Sequence, residues 1–142
     1  MNKKTEAYFQ AFWEGVRRFG WFPLAVFLVH VSCSRVVDVY HLWPSVDIPL
    51  HFFGGMAFAW FAAGALEVLA GRGLLRRPEP LIRFVLVFSL TATAAVFWEF
   101  AEWAADFVLG KNCQLGLDDT MLDLFLGVSG AFPVAVLAAI RR

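Results

Sequence analysis

The chain has 142 residues, of which 60% are hydrophobic and 17% charged, and its formal net charge is zero. Ordinary soluble domains carry about 45–50% apolar residues, so the composition is that of a membrane protein holding one compact unit. Twelve basic residues balanced by twelve acidic ones exclude an overall basic nucleic-acid-binding surface. The hydrophobicity excludes a disordered chain, and two cysteines are too few for a disulfide scaffold.

The first predicted element is an amphipathic helix over about residues 6–19. Tyr8, Phe9, Phe12, Trp13, Val16 and Phe19 recur at helical spacing, while Gln10, Glu14, Arg17 and Arg18 fall mostly on the other side. This pattern predicts a helix lying in the membrane interface, with a cap packed on the bundle as the alternative. Crossing the hydrocarbon takes about 20 mostly apolar residues. Four stretches reach that length, over about residues 21–39, 47–70, 81–109 and 121–140. The third is long enough to tilt or to emerge at one end. Turn signals separate them: Trp43-Pro44, then Gly71, Gly73, Pro78 and Pro80, then Gly110, Asn112 and Gly116. The first apolar run starts late and continues into further spans, so it reads as a span and not as a cleaved signal peptide. The expectation is an all-α integral membrane four-helix bundle with an N-terminal interfacial helix, one membrane domain over residues 1–142.

Positive charge sets the orientation. Lys3, Lys4, Arg17, Arg18, Arg72, Arg76, Arg77, Arg83, Arg141 and Arg142 fall on one side of a four-span arrangement, and only Arg35 and Lys111 fall towards the other. Both termini are therefore expected in the cytoplasm, with the chain in a bacterial inner membrane. The acids run the other way. Glu6, Glu14, Glu67 and Glu79 lie in the cytoplasmic half, while Asp38, Asp47, Glu99, Glu102, Asp106, Asp118, Asp119 and Asp123 lie in the outer half. Ten basic against four acidic groups give +6 inside, and two basic against eight acidic give −6 outside.

The outer acids converge. Glu99, Glu102 and Asp106 stand at i, i+3 and i+7 and share one helix face. Asp119 and Asp123 stand at i and i+4, as do Asp47 and His51. Three helices thus aim an acid pair, or an acid and a histidine, at one outer-leaflet level, where Arg35 and Asp38 of the first span also stand. A charged carboxylate near a span centre costs about 2.5–3.5 kcal/mol on insertion scales, so the group needs protons, a cation or a water-filled cleft. Several carboxylates with one imidazole suit a divalent metal ion, either Mn, Fe or Zn, or Mg with waters. The expected ligands are His51, Glu99, Glu102 and Asp123, with Asp119 or Asp47 as the catalytic base. Arg35 and Asp106 are further members of the site. The alternatives are a network of protonated acids that locks the helices together and a proton pathway.

Other positions carry weaker signals. His30 reads as a helix-interface histidine. Gly54, Gly55, Gly127 and Gly130 read as close-packing positions near the acidic level. Trp98 and Trp103 flank the glutamates. Cys33 and Cys113 both fall towards the outer side, where an oxidising compartment permits a disulfide. The chain has no Walker loop, no H-E-x-x-H, no G-x-S-x-G and no E-x-x-H pair.

Trp98-Glu99-Phe100-Ala101-Glu102-Trp103, then Asp119-Thr120-Met121-Leu122-Asp123 and Gly130-Ala131, together resemble the YjdF-like family of bacterial inner-membrane proteins. Those proteins carry a W/Y-E-x-x-E-W element followed by D-T-x-x-D and a Gly-Ala pair. Upstream, Asp47-x-x-x-His51 with Gly54-Gly55 is similar to their D-x-x-x-H-x-x-G element. The VanZ-like proteins share a looser version. The resemblance covers roughly residues 47–131. This chain is shorter than typical YjdF-like members and departs from their Gly-Asp-rich outer loop, which here reads Cys113-Gln114-Leu115-Gly116-Leu117-Asp118. The resemblance implies Asp47, His51, Glu99, Glu102, Asp119 and Asp123 as the site and supplies no reaction.

Three functions follow as expectations. The first is a metal-dependent hydrolase or transferase acting on a lipid or lipid-linked substrate in the outer leaflet. The second is a cation or proton transporter subunit, which with four spans requires a homo-oligomer. The third is a non-catalytic accessory subunit of a membrane complex.

Overall fold

A computed structural model of the chain describes residues 2–35 and 44–141, without the side chains of Ser34, Arg35 and Pro44. The end of the expected first span, Asp38, His41 and the Arg35 side chain therefore lie outside the described residues. All regular structure among the described residues is helical. It comprises α1 (Lys3–Phe19), α2 (Trp21–Arg35), a 3-10 turn (Pro44–Val46), α3 (Asp47–Gly71), α4 (Pro80–Leu109) and α5 (Leu117–Ile140). Helices α3, α4 and α5 have 25, 30 and 24 residues and are long and apolar enough to cross a membrane. With 15 residues, α2 extends about 22 Å, short of a hydrocarbon core of about 30 Å.

Helices α1 and α2 are nearly continuous. Gly20 has helical angles (φ −73°, ψ −12°), its N–H donates to the Val16 carbonyl at 2.8 Å, and its own carbonyl accepts from Leu24 N–H at 3.1 Å. Pro23 follows, and its missing N–H leaves the ladder interrupted there. The contacts of α1 run antiparallel to the C-terminal half of α3. The Tyr8 hydroxyl donates to the Leu74 carbonyl, Glu14 pairs with Arg72 at 2.8 Å, Gly15 lies against Ala65, and Phe19 lies against Gly64. Packing uses a strip the sequence pattern did not single out, the small buried residues Ala11 and Gly15. Small side chains let two helix backbones approach closely. The large apolar residues Tyr8, Phe9, Phe12 and Trp13 stay exposed.

The centre of the bundle is the contact of α3 with α5, and α4 packs mainly on α5. Both α3 and α5 follow a loop and run in the same direction, so their N-terminal turns lie at one level. The core is built from small side chains: Ala59 of α3 and Ala131, Ala135 and Ala138 of α5 are buried together with Leu66 and Val87. Large residues face out, among them Leu81, Ile82, Phe97, Phe100, Trp103 and Phe107 of α4. Small residues inside and large apolar ones outside is the pattern of helices whose surrounding solvent is lipid.

Two glycine contacts bring α3 and α5 together. A Cβ at Gly55 would fall on the Gly127 carbonyl oxygen, and one at Gly130 on the Phe52 carbonyl oxygen. The far end of the bundle is tied by charge. Arg83 of α4 pairs with Glu67 of α3 and donates to the Arg141 carbonyl at 3.0 Å. The fourth expected span starts earlier than its hydropathy indicated, at Leu117. Asp118 and Asp119 thereby stand in the first turn of α5, where the helix dipole favours negative charge.

Candidate functional site

His51 stands one turn into α3, on the same side as Asp47 and directly above Gly55 by the i, i+4 rule. Asp123 stands in the second turn of α5, directly above Gly127. The close passage of Gly55 against Gly127 therefore brings His51 and Asp123 together. Nε2 of His51 lies 3.4 Å from Asp47 Oδ1 and 3.8 Å from Asp123 Oδ1. Its other ring nitrogen, Nδ1, lies 3.8 Å from Glu99 Oε1 of α4. One imidazole is thus placed between carboxylates from three helices, one on its own helix and two on others.

The cluster is shielded. Glu99 and Asp123 are each 4% exposed and, with Thr91, are the buried polar residues among those described. Oε1 of Glu99 is buried and has no hydrogen-bond partner among the described residues. Ligand atoms of Asp47, His51 and Asp123 lie within 4.8 Å of one another, and so do those of His51, Glu99 and Glu102. The two trios share only His51. Either could hold a cation through oxygen and imidazole donors, a set that suits a borderline divalent ion.

Around the cluster, other residues fix the acids. Glu102 accepts from Trp98 Nε1–H at 2.8 Å. Gln114, in the loop between α4 and α5, donates through Nε2 to both the carbonyl and Oε2 of Glu99 at 3.1 Å. The loop is shaped to reach that far back. Gly110 ends α4 in the left-handed region (φ 62°) and Gly116 opens α5 at φ 132°, both angles that glycine adopts without strain. Asp106 accepts from the N–H groups of Cys113 at 2.6 Å and Gln114 at 2.9 Å. Asp119 accepts from Leu115 N–H at 2.9 Å.

Of the residues singled out in the sequence, the structure brings together His51, Glu99, Glu102, Asp123 and Asp47. It does not bring Asp119 or Asp106 into the same group; their carboxylates hold the backbone of the α4–α5 loop. His30 packs edge-on against Trp98, with ring centroids 5.1 Å apart. Cys33 and Cys113 are free thiols. Gln114 is the site residue the sequence did not reveal. It is one polar residue in a loop, and nothing in its neighbours signals that it folds back fifteen positions onto Glu99.

Below His51, away from the acids, lies a chamber of about 260 Å³ between α2, α3, α4 and α5. Its walls are mostly apolar, with Phe27, Leu50, Phe58 and Ala95 among them. His51 belongs both to this wall and to the acidic cluster.

Residues 17–142 match the model of a family described as predicted membrane protein (DUF2238). A protein of Thermotoga maritima, described as uncharacterized, is 33% identical over 112 residues, covering 78% of this chain and 56% of that protein. The chain thus matches just over half the length of that relative. No solved structure matches the chain.

Proposed function

The chain belongs to the DUF2238 family of predicted membrane proteins, and within that frame we propose that it holds a divalent cation at His51 and acts on a lipid or lipid-linked head group. The observation that carries this reading is the placement of the His51 ring, with acids 3.4 and 3.8 Å from Nε2 and another 3.8 Å from Nδ1. A metal-bound histidine usually gives its second ring N–H to a carboxylate, which fixes its tautomer and orientation. In this reading Asp47, Asp123 and His51 Nε2 would hold the cation, and Glu99 Oε1, a buried oxygen without a hydrogen-bond partner among the described residues, would receive the Nδ1 hydrogen bond. Glu99 Oε2 and Glu102 already accept from Gln114 and Trp98, which favours this assignment over its reverse. Three protein ligands leave positions open for water and a substrate oxygen. A cation so held polarises a phosphate or ester and lowers the pKa of its bound water, which is the chemistry of a hydrolase or transferase.

The membrane arrangement that accompanies this reading puts both termini in the cytoplasm of a bacterial inner membrane and the His51 cluster in the outer leaflet. The first crossing then begins with α2, in the span expected over about residues 21–39, and Arg17 and Arg18 in the last turn of α1 stay on the cytoplasmic side. The outward Tyr8, Phe9, Phe12 and Trp13 lie at the membrane interface, where aromatic residues are enriched. The order of the Asp47–His51, Glu99–Glu102 and Asp119–Asp123 elements supports grouping the chain with the YjdF-like proteins.

Metal analysis of the purified protein tests the site. Bound metal at one ion per chain, a lower thermal midpoint in chelator and recovery with Mn or Zn are the expected results. A metal-free protein whose stability neither chelator nor added Mn, Zn or Mg alters would sink the reading.

A further inference from the structure

We infer that the chamber beneath His51 takes up one hydrocarbon chain of a membrane lipid, so that the lipid's polar linkage is delivered to the acidic cluster. The assignment of that linkage as the reacting group rests on the proposed cation site; the binding of the chain does not.

The walls of the chamber are chemically suited to such a chain. Of the polar groups that border the chamber, the Thr91 hydroxyl donates to the Val87 carbonyl of its own helix at 2.8 Å, and the Trp98 N–H is held by Glu102. The rings of His30, packed edge-on against Trp98, and of His51 also border it, and the rest of the wall is hydrocarbon and aromatic surface from Val26, Phe27, Leu50, Phe58, Ala94 and Ala95. A mostly apolar chamber accepts apolar guests; an enclosed apolar cavity of about 150 Å³ is large enough for benzene. At about 260 Å³ the chamber has room for a longer segment.

The chamber is also reached from the apolar flank of the bundle. Phe27 lines the chamber and is also 47% exposed on the flank of the bundle, beside the exposed Leu24 and Leu28. The mouth therefore opens on the apolar side of the helices, where the surrounding medium is lipid chains and not water. An alkyl chain enters by this route without desolvating anything, whereas a peptide or a sugar would have to bury unpaired polar groups.

The chamber is in register with the acidic cluster. His51 is the one residue that the chamber shares with the acidic trios. A chain seated below it ends at the ring that faces Asp47, Asp123 and Glu99. Space for the chain is made by Gly54, where a Cβ would meet nothing within 4 Å. Gly54 is thus unlike its neighbour Gly55, which the helix crossing needs. A larger side chain at Gly54 fills the chamber and leaves the crossing alone.

The test uses the 142-residue chain in nanodiscs containing phosphatidylglycerol with a diazirine-bearing acyl chain, with adducts mapped by mass spectrometry after illumination. Wild type should label at the inward residues Phe58, Ala94 or Ala95. Gly54→Leu should lower that labelling on the order of tenfold, with Gly54→Ala intermediate. Labelling of the outward Phe97 and Phe100 should be unchanged in both. Equal inward labelling in all three proteins, or labelling confined to the outward residues, overturns the inference. Mn binding and thermal midpoint are measured on the same samples. Inward labelling in a protein that binds no cation upholds the chain pocket and removes the cation reading. If Gly54→Leu does not fold, Gly54→Ala carries the comparison, and undiminished inward labelling in it counts against the inference.

Discussion

Gly55 of α3 lies so close to Gly127 of α5 that a Cβ on the first would coincide with the carbonyl oxygen of the second. One turn above each stand His51 and Asp123, 3.8 Å apart. The backbone contact sets the distance between the two side chains. Gly55→Ala should therefore push the helices apart, costing about 1–3 kcal/mol as overpacking does, and lower the thermal midpoint by roughly 5–10 °C. Gly54→Ala, one position away and facing open space, should leave the midpoint unchanged or slightly raised. Thermal unfolding of both variants in the same detergent checks this pair.

Asp123→Asn and His51→Ala should abolish any stabilisation by added cation. A ligand at a hundred times its Kd stabilises the folded state by about 2.7 kcal/mol, so the wild-type midpoint should rise with Mn or Zn while those of the variants stay flat. Asp119→Asn removes the charge of a loop acceptor and not a proposed ligand, so its midpoint should still respond to cation. Parallel melts with and without metal separate these outcomes.

Gln114→Ala should destabilise the chain by about 1–3 kcal/mol, because Glu99 would keep its burial and lose its hydrogen-bond donor. The loss should be partly relieved in the double variant Gln114→Ala/Glu99→Gln, where the charge is gone as well. Denaturation midpoints of the single and double variants form the cycle that measures this coupling.

Cys113 should be a slow thiol. The residue is exposed as a whole, yet desolvation of its sulfur and the neighbouring Asp106 carboxylate push its pKa up to about 11. Both effects disfavour the thiolate, which is the reactive form. At pH 8, on the order of one thiol in a thousand is ionised. Alkylation of the folded protein should be slow at pH 8, rise about tenfold per unit of pH, and level off near pH 11. Rates read by mass spectrometry from pH 7 to 11 test this, and a plateau already reached near pH 9 would contradict it.

Arg83→Ala should cost more than Arg77→Ala, although both arginines pair with Glu67. The Arg77 side chain is 64% exposed and its pair spans 3.5 Å, the kind of surface contact worth about 0–1 kcal/mol. The Arg83 side chain is 12% exposed and also holds the Arg141 carbonyl. Its removal leaves Glu67 with only the looser Arg77 contact and takes the donor from the Arg141 carbonyl, and should cost about 0.5–1.5 kcal/mol. Midpoints of the two variants decide the order.

Much of the side-chain grouping in the candidate site could be read from spacing because helical periodicity is regular. Glu99 and Glu102, and Asp47 and His51, each had to share a face once their segments were helices. The hydropathy runs placed α3 and α4 to within a residue or so. They placed the start of α5 four residues late, because Leu117–Thr120 is polar enough to look like loop, although Gly116 opens a helix there. Helix α1 shows a different gap. Its aromatic and charged residues could be sorted by spacing, but its docking strip, Ala11 and Gly15, carries no hydrophobic signal. Small residues pack by allowing close approach, and a hydropathy pattern does not register that.

The sequence by itself determined that this is an all-helical membrane protein with eight of its twelve acids gathered towards one end, because both follow from local chain chemistry: apolar length, helical period and the distribution of charge. Only the tertiary structure decided which acids meet. Asp119 and Asp123 are equivalent by spacing, yet Asp119 is taken up by the Leu115 N–H and Asp123 faces His51. Asp47 joins the imidazole on Nε2, and Gln114 arrives from a loop to hold Glu99. These outcomes depend on where two glycines let α3 and α5 touch and how far a loop folds back. Contacts of that kind are set by three-dimensional fit between distant segments, which no local pattern encodes.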